Sequence, residues 1–180
     1  PTPSSAASDV YKRQAEDATL MNRGFRYLTE ERFDQVAPIL DRLLECADAL
    51  DLPVRTLESE FGPSQVEVTF EPMEALECAD AMVLFRSMVK QVCRREGYHA
   101  TFMCAPKLEG TMASGWHLHQ SLADAATGEN TFAEPAGEIG LSPEGRYWVA
   151  GLLRHARAGA LFAAPTVNGY RRYKAHGMAP

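Results

Sequence analysis

The stretch LESEFGPSQVEVTFE, Leu57 to Glu71, decides how this chain is built. Leu52 to Glu60 and Gln65 to Phe70 read as extended segments, and Phe61-Gly62-Pro63-Ser64 between them carries the Gly-Pro dipeptide of a turn joining paired strands. Closing that hairpin brings the carboxylates of Glu60 and Glu67 near one another, with Gln65 on the same face as Glu67. Facing carboxylates repel unless a cation separates them, and hard divalent ions such as Mg2+ or Mn2+ favour carboxylate oxygen with some imidazole nitrogen. A pair of exposed strand carboxylates is the plain alternative.

Working outward, Thr29 to Leu50 repeats Phe33, Val36, Ile39, Leu40, Leu43, Leu44, Ala47 and Leu50 at helical spacing, with Pro38 expected to start or kink the helix. Pro72 to Arg95 predicts a second amphipathic helix with Leu76, Ala79, Met82, Val83, Phe85, Val89 and Val92 on one side, ended by Gly97. Tyr98 to Ala105 and Ser114 to Ala123 read as further strands. Ser142-Pro143 opens a third helix, to about Leu161, with Trp148, Leu152, Leu153 and Ala156 in its stripe.

The strand from Ser114 places His117, His119 and Ser121 on one face and Trp116, Leu118 and Leu122 on the other. Side chains two apart on a strand can ligate one ion or serve neighbouring groups, although polar residues of a wet strand face explain the histidines equally well. His99 and His155 read as surface or packing residues, and Arg94 and Arg95 as cations suited to a helix C-terminus.

With 180 residues and 46% hydrophobic composition, the chain has the makings of one soluble globular domain. A net charge of -6 without a Lys/Arg stripe argues against a nucleic-acid binder. Cys46, Cys78, Cys93 and Cys104 lack CxxC spacing and are expected to be reduced. No apolar run approaches the roughly 18 to 20 residues of a membrane span, which leaves the cytoplasm and no membrane partner. The opening PTPSSAASDVYKRQ, residues 1–14, has no apolar periodicity, and AASDVYKRQ looks like translated linker sequence. It is expected to be a non-native or disordered leader to a domain covering 15–180.

Four stretches, ESEFGPSQVEV, ATFMCAP, SGWHLHQSL and NGYRRYKAHGMAP, stand in the order and approximate spacing of the glutamine synthetase catalytic domain, and from about Asp34 to Pro180 the chain resembles that family. The resemblance implies an α+β fold, a curved and mainly antiparallel sheet flanked by helices. It further implies Mg2+ or Mn2+, ATP as co-substrate and a homo-oligomeric ring with sites between neighbouring subunits. Glu60 and Glu67 match carboxylates of the amino-acid-side metal, and His117 matches the ligand of the metal near the ATP phosphates. His119 and Ser121 match nucleotide contacts, and Arg172 matches the arginine that holds the substrate carboxylate or the phosphate formed in turnover. The implied reaction is amide ligation through an acyl phosphate, joining glutamate or an analogue to ammonia or an organic amine.

Two departures bear on the substrate. Met112-Ala113 replaces a family Asn-Gly pair, and Met178 replaces a glutamate linked to deprotonating ammonium, a task for which a thioether has no basicity. Both favour an organic amine. The first metal-binding strand, the last metal-binding glutamate and the small N-terminal domain are not found in the chain, so the isolated segment is expected to be inactive. The competing readings are a catalytically dead structural or signalling homologue and a metal-dependent hydrolase built on Glu60, Glu67, His117 and His119.

Overall fold

Strand alternation in Gln65–Phe70 sets the architecture. Val66, Val68 and Phe70 turn to one face and are buried, while Gln65, Glu67 and Thr69 turn to the other. The structure, a computed structural model, describes residues 4–12, 19–134 and 140–173. In chain order the elements are β1 (Ser4–Lys12), β2 (Thr19–Leu20), α1 (Glu30–Asp48), β3 (Val54–Ser59), β4 (Gln65–Phe70), α2 (Ala75–Arg95), β5 (Tyr98–Thr101), β6 (Trp116–Leu118), α3 (Pro143–Ala163) and α4 (Val167–Tyr170).

All strand pairings among the described residues are antiparallel. The expected hairpin is present, with Glu58 opposite Glu67 and Ser59 opposite Val66. On its other edge β4 pairs with β1, and β1 in turn pairs with β6 through Ser4–Ala6 and with β5 through Asp9–Lys12. Of the opening residues 1–14, expected as a leader, Ser4–Lys12 thus form a strand. The ladder is made between backbone amides and carbonyls, which every non-proline residue supplies, so a stretch without apolar periodicity still fills a strand slot.

The helices cover the apolar face. Val36, Ile39, Leu40, Leu43 and Ala47 of α1 and Met82, Phe85, Met88, Val89, Val92 and Cys93 of α2 close over β4 in one core. Pro38 lies inside α1 rather than at its start. Leu76 and Val83, expected on the packed side of α2, are 77% and 71% exposed. Gly97 takes φ +81 just past α2, a left-handed conformation that a residue with a Cβ adopts only with strain. Phe70 meets Phe85 edge-on at 5.0 Å, and Phe102 continues the series to Trp116. Aromatic packing thus runs from the core to the strand that carries His117. All four cysteines are free, and burial pushes the Cys93 thiol up to about 12.

Two sequence expectations are corrected here. The strand expected over Ser114 to Ala123 is only Trp116–Leu118, so His119 and Ser121 lie beyond it and strand alternation does not set their direction. The stripe of α3 is open: Leu152 and Leu153 are 53% and 73% exposed, and Gly145 is the buried residue of that helix. Ser142 does cap α3, its hydroxyl accepting from Gly145 N at 3.0 Å and donating to Thr131 O. Among the described residues no helix is long and apolar enough to cross a membrane.

Candidate functional site

The polar face of β4 holds the first half of the site. Glu67 is hydrogen-bonded to Glu60 across the hairpin, and its carboxyl is pushed up to about 7 by burial, then by the charge of Glu60, and further by Glu58. Glu60 Oε1 accepts from Phe61 N at 2.9 Å, which turns its carboxylate back along the turn. Burial and the charges of Glu60, Glu58 and Glu67 also push up the phenol of Tyr27. The result is a half-buried acidic cluster whose carboxylates oppose one another.

Gln65 ties this hairpin to the segment before the histidines. Its Oε1 accepts from Gly62 N at 3.0 Å, while its Nε2 donates to Ser114 Oγ at 2.9 Å and to Ala113 O at 3.2 Å. Gly62 is required there, because a Cβ would lie 2.5 Å from Gln65 Oε1 and 2.7 Å from Met112 Cβ. Asn168 plays a similar part farther on, donating to Ala105 O at 2.8 Å and accepting from Ala105 N at 3.0 Å. Each amide joins two of the sequence stretches singled out above, so the stretches are linked in space as well as in order.

The second half of the site gathers around Gly115. A Cβ built there would stand 2.9 Å from Arg172 Nη2 and 2.9 Å from His117 Nε2, so the guanidinium and the imidazole both crowd this glycine. Arg172 follows directly on α4. Its Nε is buried and meets no hydrogen-bond partner among the described residues. The variant Gly115→Ala is expected to cost about 1 kcal/mol of stability and to shift the His117 imidazole resonances. Unmoved resonances would show that His117 and Arg172 do not share that space.

Between the halves runs β1. Its Ala7 stands opposite Glu67 and its Ser5 opposite His117, so Glu67 and His117 lie two strand spacings apart across the sheet, about 10 Å, and are offset by two residues along β1. Among the described residues, no three His, Cys, Asp or Glu side chains come together as a ready metal site. His119 and Ser121 sit instead on a pocket of about 500 Å3, lined also by Met73, Cys78, Met82 and Trp116. Trp148 of α3 donates to Gln120 Oε1 at 3.1 Å and so borders the same loop.

The family model for the glutamine synthetase catalytic domain matches residues 2–180. The chain belongs to the glutamine synthetase family. It is 49% identical over 159 residues to a gamma-glutamylanilide synthase of Acinetobacter sp, an alignment covering 88% of this chain and 32% of that protein. It is 38% identical over 144 residues to a glutamine synthetase of Rhizobium meliloti, covering 80% and 32%. The chain therefore spans about a third of the length of these curated relatives. Among solved structures, ligand-free GmaS superposes with a TM-score of 0.81 at 26% identity, over 95% of this chain and 41% of that one. The cryo-EM glutamine synthetase of Plasmodium falciparum shares the fold, with a TM-score of 0.76 at 21% identity over 95% and 39%. The α+β glutamine synthetase fold expected from the sequence is borne out.

The structure thus joins Glu60 with Glu67 and His117 with Arg172, and it sets His119 and Ser121 apart on the pocket. Met178 lies outside the described residues. Two participants were missed in the sequence. Glu58 faces Glu67 across the hairpin, which counting back from the Gly-Pro turn would have found. Arg32 is 3% exposed and reaches the turn from α1, and nothing in its sequence neighbourhood signals that.

Proposed function

We propose that this segment belongs to an ATP-dependent carbon-nitrogen ligase that joins glutamate, or a close analogue, to an organic amine through an acyl phosphate. The observation that carries the reading is the pairing of two opposed carboxylates on one side of a strand slot with a histidine and an arginine on the other. The donor set fits hard divalent cations, since burial and mutual repulsion hold a proton on Glu67 that a cation would replace. Glu60 and Glu67 would hold one Mg2+ or Mn2+ and His117 a second. Their separation across β1 supports two ions rather than a shared one. When bound, such ions offset charge on the phosphate oxygens.

The chain's own residues do the positioning. Arg172 offers a planar fork to the substrate carboxylate or to the phosphate formed in turnover. The pocket at His119 and Ser121 takes the nucleotide, its apolar lining suited to a flat base. A carboxylate oxygen attacks the terminal phosphorus and ADP leaves; the amine nitrogen then attacks the acyl carbon, phosphate departs with the bonding pair, and the amine's proton passes to water.

For the amine, the reading follows the 49% identical Acinetobacter protein named for an anilide, together with Met112-Ala113 and Met178 in place of residues suited to ammonium. An aromatic amine such as aniline is the acceptor we assign. In this reading the whole protein is a cytoplasmic homo-oligomeric ring, and residues 1–14 are a non-native leader, of which Ser4–Lys12 fills the β1 slot. The test is phosphate release, with ATP, glutamate and Mn2+, by a protein carrying this segment within a complete catalytic domain. Aniline is expected to exceed methylamine and ammonium by at least about tenfold, and the isolated 180-residue chain is expected to show no turnover. Ammonium as best acceptor would overturn the amine assignment. Product formed without ATP would point to the hydrolase, and intact ATP binding without turnover on any amine to a dead homologue.

A further inference from the structure

Arg32 is a buried cation among the described residues whose two terminal nitrogens are both hydrogen-bonded while its Nε is not, and the chemistry proposed above makes no use of it. It sits in the first turn of α1, the end of a helix where a positive charge is unfavourable, and it is 3% exposed. Among the described residues no carboxylate forms an ion pair with it. Its Nη1 donates to Arg26 O at 2.5 Å and Phe61 O at 3.2 Å, and its Nη2 donates to Asn22 Oδ1 at 2.7 Å and Gly62 O at 2.8 Å. Two of those acceptors are carbonyls of the hairpin turn.

The turn is held from a second direction as well. Asn22 Oδ1 also accepts from Ser64 N at 2.8 Å, and Ser64 Oγ accepts from Met21 N at 2.6 Å. Ser64 is fully buried at φ +59, a left-handed conformation that a serine keeps only when its surroundings hold it there. Phe61, whose carbonyl Arg32 grips, donates its own N–H to the Glu60 carboxylate. A rotation of the turn at Phe61 therefore carries Glu60 with it.

We infer that Arg32, acting with Asn22, is a positioning residue that fixes the Glu60 carboxylate relative to Glu67 for a divalent cation. The inference rests on the metal reading of Glu60 and Glu67. A charge buried against carbonyls alone costs desolvation free energy, and holding the turn is the return the structure shows for it.

The test is Mn2+ affinity of the 180-residue chain, measured by electron paramagnetic resonance, in a double-mutant cycle. Arg32→Met is expected to weaken Mn2+ binding about tenfold or more, as loss of a group that orients a ligand does. In a Glu60→Gln background the same change is expected to add less than about twofold, because the ligand it orients is gone. Asn22→Ala, which leaves Arg32 in place, should repeat the pattern and serves where Arg32→Met does not fold. Amide exchange at Phe61, Gly62 and Ser64 should quicken in both variants while exchange at Val66 to Phe70 of β4 stays slow. Additive losses of affinity would overturn the positioning role and leave the metal reading intact. An unsubstituted chain that binds Mn2+ no better than Glu60→Gln would overturn both.

Discussion

Mn2+ is expected to bind this chain about tenfold more weakly for each unit that pH falls below about 7, and with little pH dependence above it. The direction follows from Glu67, whose carboxyl is raised from 4.5 to about 7 by burial and by the charges of Glu60 and Glu58. Below 7 the folded chain holds a proton that the cation must displace; above 7 the site is deprotonated and electrostatically strained. The same shift makes the metal-free fold most stable below about pH 4.5, with that contribution lost as pH rises through 7. Chelation should therefore lower the melting temperature most in alkaline buffer. Glu67→Gln is expected to remove the pH dependence and to reduce affinity by about a hundredfold, while raising metal-free stability at pH 8. A titration by paramagnetic resonance from pH 5.5 to 8.5 decides it, and an unchanged pH profile in Glu67→Gln would assign the proton elsewhere.

Phe70→Ala should be the most damaging single change to the fold. Phe70 is fully buried at the end of β4, edge-on to Phe85 at 5.0 Å, where both helices meet the sheet. Truncating a buried phenylalanine costs about 3 to 5 kcal/mol, a large share of the stability of a small domain. The expected outcome is loss of the cooperative thermal transition near room temperature. Phe162→Ala, at a position 83% exposed on α3, should leave the transition within about 2 °C and is the matched control.

What was legible in the sequence is what depends on local period. The hairpin, α1, α2 and the cap of α3 were readable because alternation, helical spacing and a Ser-Pro start are written within a few residues of one another. The carboxylate pair was readable for the same reason, since a short turn admits few ways of closing. Less could be read where distant segments decide. The strand through His117 ends at Leu118, which stands opposite Ser4 of β1, and no residue near His119 announces that stop. Arg32 looked like any surface arginine of a helix, although its partners lie 6 to 30 residues away, in the stretch before α1 and in the hairpin turn. Leu153 of α3 fitted an apolar stripe, yet no described segment buries it.

The link from Gln65 to the segment before the histidines has a bearing on how new acceptor preferences arise. Gln65 Nε2 reads a main-chain oxygen at Ala113 and a hydroxyl at Ser114, and neither bond uses a side-chain atom of residue 112 or 113. Gly62 meets Met112 chiefly through Cβ, an atom every residue but glycine possesses. Positions 112 and 113 are therefore exchangeable fittings on a fixed mount: their side chains can be swapped while the carboxylates, the histidine and the arginine keep their places. A lineage, or an engineer, can explore new amines there without first rebuilding the machinery that handles phosphate.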